Sequence, residues 1–441
     1  MITTFILILA IAVVGLLLQD RFKVPLPVTL VAFVMLSKMV GLDYFHISPQ
    51  TFDQIILLLL PILITVDALN LRTAELFRHA FGLFYLAVLS VVLSVLACVL
   101  LNKWILPDYN LSVPAVIALF CMVMATDPIA VSAVFGNFKV PHNLKILAEG
   151  ESLFNDATAL ILFGLAITMM GPSAIDVVNV GSHSAMVIIG AIGVGIVCGL
   201  VGLWLMSLTT NSTIETMLML LIACGSYVGA EHFHWSGILA TIISVLTANH
   251  VISKRLDADD KVVEDIDMGG STSIQRFGSL FAVHQRYADA VIDRTNHEAI
   301  VKNIGFVAVL GAVVLFLSMA DTFSVNLLVK YWKEIVAVFI AATIIRMLMM
   351  SKFAFMAIKL PFMHNVPIHW WMVLSAAGVK GGISILMLHM LPRDFEYLEL
   401  FEAIIIGQIL LSTFVYPFVL TIVMILFKKR FEAECEQEAH H

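Results

Sequence analysis

The sequence predicts an all-α polytopic membrane protein of about thirteen transmembrane helices, and three observations carry that prediction. Hydrophobic residues make up 60% of the 441 and charged residues only 13%, with a mean hydropathy of +0.99. A soluble domain keeps about a quarter of its residues charged, so most of this chain must face lipid or other buried helices. Apolar runs of about 17–25 residues, long enough to cross a hydrocarbon core of roughly 30 Å, recur along the whole length. Basic residues, finally, gather on alternate connections. Beside that distribution the net charge of −7 carries little weight.

In chain order the runs cover about 1–18, 24–41, 52–68, 80–102, 112–135, 146–170 and 185–208, then 214–231, 235–253, 301–320, 331–356, 368–391 and 401–427. The first is too long for the apolar region of a signal peptide and has no basic segment before it, so it is expected as a span. No lipidation motif is found. The fifth run is interrupted by Thr126-Asp127-Pro128, the sixth holds the polar stretch Glu149 to Thr158, and the twelfth is interrupted by Gly378-Val-Lys-Gly-Gly382. Connections are short except for 254–300, a polar stretch with the acidic runs Asp257-Ala-Asp-Asp260 and Glu264-Asp-Ile-Asp267. It is expected as a cytoplasmic surface loop with one amphipathic helix. Residues 428–441 are expected as a short cytoplasmic tail, with His440-His441 a tag remnant, leaving no room for a nucleotide-binding or regulatory domain. The five cysteines show no CxxC or Cys/His ligand spacing and are read as small buried hydrophobes.

With the N-terminus outside, eighteen of the 25 Lys and Arg fall at inner ends, five at outer ends, and two, Arg346 and Lys380, in mid-membrane. That is a positive-inside pattern, and it puts the C-terminus in the cytoplasm.

A cation at the centre of a spanning helix costs about 2.5–3.5 kcal/mol even on insertion scales, so Arg346 and Lys380 need partners. The candidates are Asp127, Glu149, Glu151 and Asp156. At about 1.5 Å per residue, Asp156 lies roughly 15 Å inside the sixth run, and Asp127, Arg346 and Lys380 reach similar depth from other runs. Acids outnumber bases at that depth, which ion pairing alone does not explain. Ser152 and Asp156 share one helix face at i, i+4, and Glu151 and Asn155 share the next. One face offers hydroxyl and carboxylate oxygens to a small cation; the other offers a carboxylate and an amide to Arg346. Oxygen donors suit hard ions, and nothing resembles a soft-metal site.

Pro128 removes an amide and clashes with the preceding turn, and three glycines weaken the helix around Lys380. Irregular backbone at this depth is tolerated only where it lines an enclosed cavity, a recurring mark of transporter sites. Asp127 is placed to neutralise positive helix ends there, and Lys380 negative ones. The two breaks fall seven runs apart. An odd offset implies inverted repeats, about 1–170 and 214–427 within a membrane domain of 1–427, around a linker helix at 185–208.

Five stretches then resemble the monovalent cation:proton antiporter-1 family, the NhaP antiporters and sodium/proton exchangers. They are Thr126-Asp-Pro-Ile-Ala130, Glu149-Gly-Glu-Ser-Leu-Phe-Asn-Asp-Ala-Thr158, Ala230-Glu231 with Ser236-Gly-Ile-Leu-Ala240, Arg346, and Gly378-Val-Lys-Gly-Gly-Ile-Ser384. The resemblance covers essentially the whole chain. It implies the antiporter fold, with two crossed, broken helices in a mobile core and a dimerisation domain that makes a homodimer. It implies exchange of sodium (or lithium) for protons by alternating access, in the service of pH homeostasis. Asp156 then binds ion and proton in turn, with Asp127, Thr126 through its carbonyl, and Ser152 contributing. Glu151, Asn155 and Arg346 form a structural polar cluster beside the site. The Asn155-Asp156 pair resembles the electroneutral, one-for-one branch.

Two departures stand out. The family usually has Arg where this chain has Lys380, which keeps the charge but loses the planar fork. Asp67 falls close to an acidic position of the family's third span. The partners implied are monovalent cations, protons, the bilayer and a second copy, with no cofactor and no nucleic acid. The rival readings are a potassium/proton antiporter and a cation channel. An enzyme is not expected: Gly150-Glu-Ser-Leu153 lacks the second glycine of a protease nucleophile site, and no His-Glu-x-x-His motif occurs.

Overall fold

The computed structural model describes residues 2–22, 24–39, 49–71, 73–170, 177–209, 211–267, 295–317, 324–359, 367 and 369–439, and among them every regular element is a helix. In order these are α1 (Ile2–Phe22), α2 (Leu26–Met39), α3 (Pro49–Asn70), α4 (Thr73–Arg78) and α5 (Ala80–Ile105, with a π-helical turn at Tyr85–Leu89). Then come α6 (Val113–Met124), α7 (Pro128–Phe135), α8 (His142–Met170), α9 (Val177–Met206), α10 (Ser212–His232), α11 (Gly237–Asp267) and α12 (Thr295–Leu317). The last are α13 (Val325–Lys330), α14 (Trp332–Lys359), α15 (Trp370–Ala376), α16 (Gly382–His389), α17 (Leu398–Leu426) and α18 (Lys428–Ala439).

Among the described residues 7 helices are long and apolar enough to cross a membrane: α5, α8, α9, α10, α12, α14 and α17. Each coincides with one expected run. The runs expected at 112–135 and 368–391 are the ones that split, into α6/α7 and α15/α16. One boundary moves. α11 continues through Asp267, so the first part of the stretch expected as a loop is helical. Residues 254–267 contain no Gly or Pro, so nothing in them breaks a helix already under way. Residues 268–294 of that stretch, and His440-His441, lie outside the described residues.

Two compact units divide the chain. The first comprises Met1–Leu60, Leu76–Ala185 and Val309–His441. Its centre is α6, which starts on a Ser112 cap accepting from the Ala115 amide at 3.4 Å. From Ala118 to Val123 no α6 side chain reaches the surface. A helix apolar all round must be enclosed on all sides, and α5, α8, α16 and α17 enclose this one.

The second unit comprises Pro61–Glu75 and Met186–Ala308. Here α9 meets α11 through glycines. A Cβ on Gly195 or Gly199 would stand 2.7 Å from the Ala240 carbonyl oxygen or 2.8 Å from that of Ser244. One on Gly202 would collide with Ile222. Small residues four apart let helix backbones touch where no hydrophobic force drives them together. Ser226 and Ser244 share a hydrogen bond at 2.9 Å, and Thr241 donates to the Ala223 carbonyl at 3.2 Å. Asn249 of α11 donates to the Leu69 and Leu71 carbonyls at the end of α3.

Candidate ion-binding site

The site lies in the first unit, where α6 stops. A helix that ends leaves its last carbonyls without donors, and inside a membrane each such orphan costs several kcal/mol. The Met124 carbonyl would take the amide of residue 128, which is a proline and has none. Asn155 of α8 supplies the missing donor, Nδ2 to the Met124 oxygen at 3.0 Å. The Met122 carbonyl would take the Thr126 amide. That amide instead donates to Asp156 Oδ1 at 2.9 Å, and Ser384 of α16 donates to Met122 at 2.8 Å. The Val123 carbonyl would take the Asp127 amide, which donates instead to the Val379 carbonyl of the second break at 2.8 Å.

Those exchanges wire Thr126 to α8. Ser152 Oγ donates to the Thr126 carbonyl at 2.9 Å and lies 3.0 Å from Thr126 Oγ1. Asn155 Nδ2 reaches the same Oγ1 at 3.0 Å. With the serine proton spent on the carbonyl, the threonine hydroxyl must be the donor to Ser152, which closes a ring of oriented dipoles. Asp156, Ser152 and the Thr126 carbonyl thus present oxygens together.

The second break is held by Arg346 of α14. Its guanidinium grips Glu151 twice, Nη1 to Oε1 at 3.0 Å and Nη2 to Oε2 at 2.8 Å. It also donates to the last carbonyls of α15, Leu374 at 2.9 Å and Ser375 at 3.3 Å. Those oxygens would otherwise take the amides of Gly378 and Val379. A Cβ on Gly378 would stand 2.8 Å from Arg346 Nε, so glycine is what lets the guanidinium in. Gly381 does the same for Asp127, whose Oδ2 is 2.6 Å from where a Cβ would be.

These bonds redistribute three expected roles. The negative end of α15 is met by Arg346, while the described bond of Lys380 is from its backbone amide to Ser412 Oγ at 3.0 Å. A forked guanidinium reaches two carbonyls and a carboxylate at once, which a lysine cannot. Asn155 gives its amide to α6, where the carbonyl orphaned by Pro128 needs a donor, and also reaches Glu151 Oε1 at 3.3 Å, so it joins Arg346 through their shared carboxylate and not directly. Its Oδ1 is buried without a hydrogen bond. Glu149 joins neither mid-membrane cation: it accepts from Ser132 at 2.8 Å and lies 3.9 Å from Lys145.

Thr126, Asp127, Glu151, Ser152, Asn155, Asp156, Arg346 and Lys380 are all buried here. Asp67 is partly buried on α3 and belongs to the second unit. Ser384 and Ser412 were not singled out by sequence reasoning. Ser384 had a signal, a hydroxyl two residues beyond Gly382; Ser412 had only its polarity within an apolar run. Three buried acids, Asp127, Glu151 and Asp156, face two buried bases, Arg346 and Lys380. By residue type the cluster therefore holds one more acid than base.

The model of the family described as "Sodium/hydrogen exchanger, transmembrane" matches residues 7–283. Na(+)/H(+) exchanger protein 7 of Caenorhabditis elegans is 31% identical over 201 residues, 44% of this chain and 26% of that protein. Na(+)/H(+) antiporter NhaH of Halobacillus aidingensis is 30% identical over 249 residues, 54% of this chain and 61% of that one. The chain thus spans about a quarter and about three fifths of the length of these two curated relatives. Among solved structures, the sodium proton antiporter MjNhaP1 from Methanocaldococcus jannaschii matches with a TM-score of 0.68 at 14% identity, over 98% of each chain. That likeness establishes the fold: an all-helical, multi-span antiporter fold. With more than half of its length matched by the family model, and two broken helices meeting at a buried carboxylate, this chain belongs to the sodium/hydrogen exchanger family.

Proposed function

We propose that the chain exchanges sodium (or lithium) for protons across a membrane, one for one, with Asp156 as the carrier of either. The observation that carries the reading is the excess of one carboxyl group among the five buried ionisable side chains at the paired breaks. A site short of one positive charge is neutralised equally by a proton or by one monovalent cation. Asp156 sits beside the Thr126 carbonyl and the Ser152 hydroxyl, and Asp127 lines the same break; these oxygens suit a hard ion. The names of the relatives support sodium as the cation.

Exchange proceeds by alternating access in a homodimer. The two broken helices belong to inverted repeats, the N-terminus lies outside and the C-terminus in the cytoplasm. The charge distribution of the sequence supports that orientation.

The test is proton flux in liposomes driven by sodium, lithium or potassium, under a clamped diffusion potential. One-for-one exchange moves no net charge, so a voltage worth about 2.3 kcal/mol per charge per 100 mV does no work on the cycle. A rate or end-point ratio that follows the voltage would show a second proton carrier, with Asp127 the first suspect. Drive by potassium alone would move the substrate, and current without proton movement would make the protein a channel. Competition for one group also predicts that sodium affinity falls as pH drops through the titration of Asp156.

A further inference from the structure

The last helix, α18, lies against the same unit. Its Phe431 is fully buried, and the His369 ring stacks on Phe427 at 5.5 Å and 18°. Glu434 and Glu438, four residues apart, share one face. Glu438 accepts from the backbone amides of His142 and Asn143 at 2.7 and 3.5 Å and from Asn143 Nδ2 at 2.8 Å. His79 holds the other side of that amide, its Nε2 2.9 Å from Asn143 Oδ1. Those amides open α8, the helix of Asp156, whose first turn has no acidic residue of its own. Glu434 accepts from Trp370 Nε1 at 3.0 Å and has its Oε1 3.2 Å from His369 Nε2. His369 and Trp370 open α15, whose first turn also has no acid. Helix N-termini carry unsatisfied amides and a partial positive charge, so Glu438 meets a matching end at α8, while Glu434 holds α15 through the side chains of His369 and Trp370.

The two helices so gripped are the pair that Glu151 and Arg346 join at mid-membrane. Resting on the exchange activity proposed above, we propose that α18 is a positioning clasp: Glu438 and Glu434 fix the N-terminal ends of α8 and α15 and thereby set the spacing at which Asp156 meets Thr126. Lever arithmetic makes the effect felt. From His142 to Asp156 is roughly 21 Å of helix, so a tilt of about 3° moves the carboxylate by about 1 Å. Binding geometries tolerate about 0.5 Å.

The experiment is a full-length Glu434→Ala/Glu438→Ala variant in liposomes, with sodium KM and kcat resolved, beside amide hydrogen exchange at single residues. The clasp predicts that KM rises about threefold or more with kcat within about twofold. It also predicts faster exchange at the Thr126 amide as well as at His142 and Asn143. Glu438→Gln, which keeps an acceptor oxygen, recovers most of both; Glu438→Ala and Glu434→Ala, each made alone, replace the double variant if that fails to fold. Faster exchange confined to His142 and Asn143, with KM unchanged, would overturn the proposal. So would a fall in kcat at constant KM. If the wild-type protein moves no sodium, the exchange reading fails, while the Thr126 amide still decides the clasp.

Discussion

The two units meet the same demand, that no backbone group be left orphaned in hydrocarbon, in opposite ways. The second keeps α9, α10 and α11 unbroken and brings backbones together over Gly195 and Gly199. Its hydroxyls bond one helix to the next or back along their own. The first unit breaks two helices and spends Asn155, Ser152, Ser384 and Arg346 on the carbonyls and carboxylate that the breaks expose. Close packing tolerates no added atom but contains no chemistry. A broken helix costs donors, and in return leaves oxygens at mid-membrane that a cation can use.

The sharpest way to break this contrast is Asp156→Asn. It should abolish exchange and leave folding intact, because an amide still accepts from Thr126 but holds neither proton nor cation charge. Half or more of the wild-type rate would remove Asp156 as carrier. Next in size is Arg346→Ala, which strands Glu151 and the ends of α15 together. Breaking a buried pair costs about 3–5 kcal/mol, so melting temperature and yield should fall before ion affinity does. Unchanged melting with lost ion binding would move Arg346 from scaffold to transport.

Gly199→Val tests the second unit alone. It should cost about 1–3 kcal/mol through overpacking, with sodium KM unchanged in whatever protein folds. A raised KM would mean that the glycine contact also shapes the site. The smallest effect expected is a coupling. Asn155→Leu should cost about 1–3 kcal/mol by stranding the Met124 carbonyl. Pro128→Ala restores the missing amide, so the double variant should recover about 1 kcal/mol of that in denaturant melts. Strict additivity would show that Asn155 is not there to replace the proline's donor.

Much of this was legible in the sequence because depth and spacing are one-dimensional. Residue counts put Asp127, Asp156, Arg346 and Lys380 at one level, and i, i+4 spacing paired Ser152 with Asp156. Partner choice was not legible. Whether Arg346 or Lys380 meets the end of α15 depends on which helix passes beside it, and for the same reason spacing that paired Asn155 with Glu151 did not reveal its bond to the Met124 carbonyl. The docked α18 was read as a tail: Phe427, Phe431, Glu434 and Glu438 repeat at helical spacing, but nothing in a spacing says which surface will receive it. The stretch after residue 253 was expected to hold one amphipathic helix, and its first part is helical as a continuation of α11 to Asp267, a junction that spacing does not reveal.

The bond from the Asp127 amide to the Val379 carbonyl uses no side chain at all. Every substitution at position 379, proline included, keeps that oxygen, and every substitution at 127 except proline keeps that nitrogen. A mutational scan would therefore pass over this direct peptide-to-peptide tie between the two breaks. Replacing the amide nitrogen of residue 127 by an ester oxygen deletes it cleanly. Chemical synthesis of the backbone, rather than genetics, is the tool that reaches this joint.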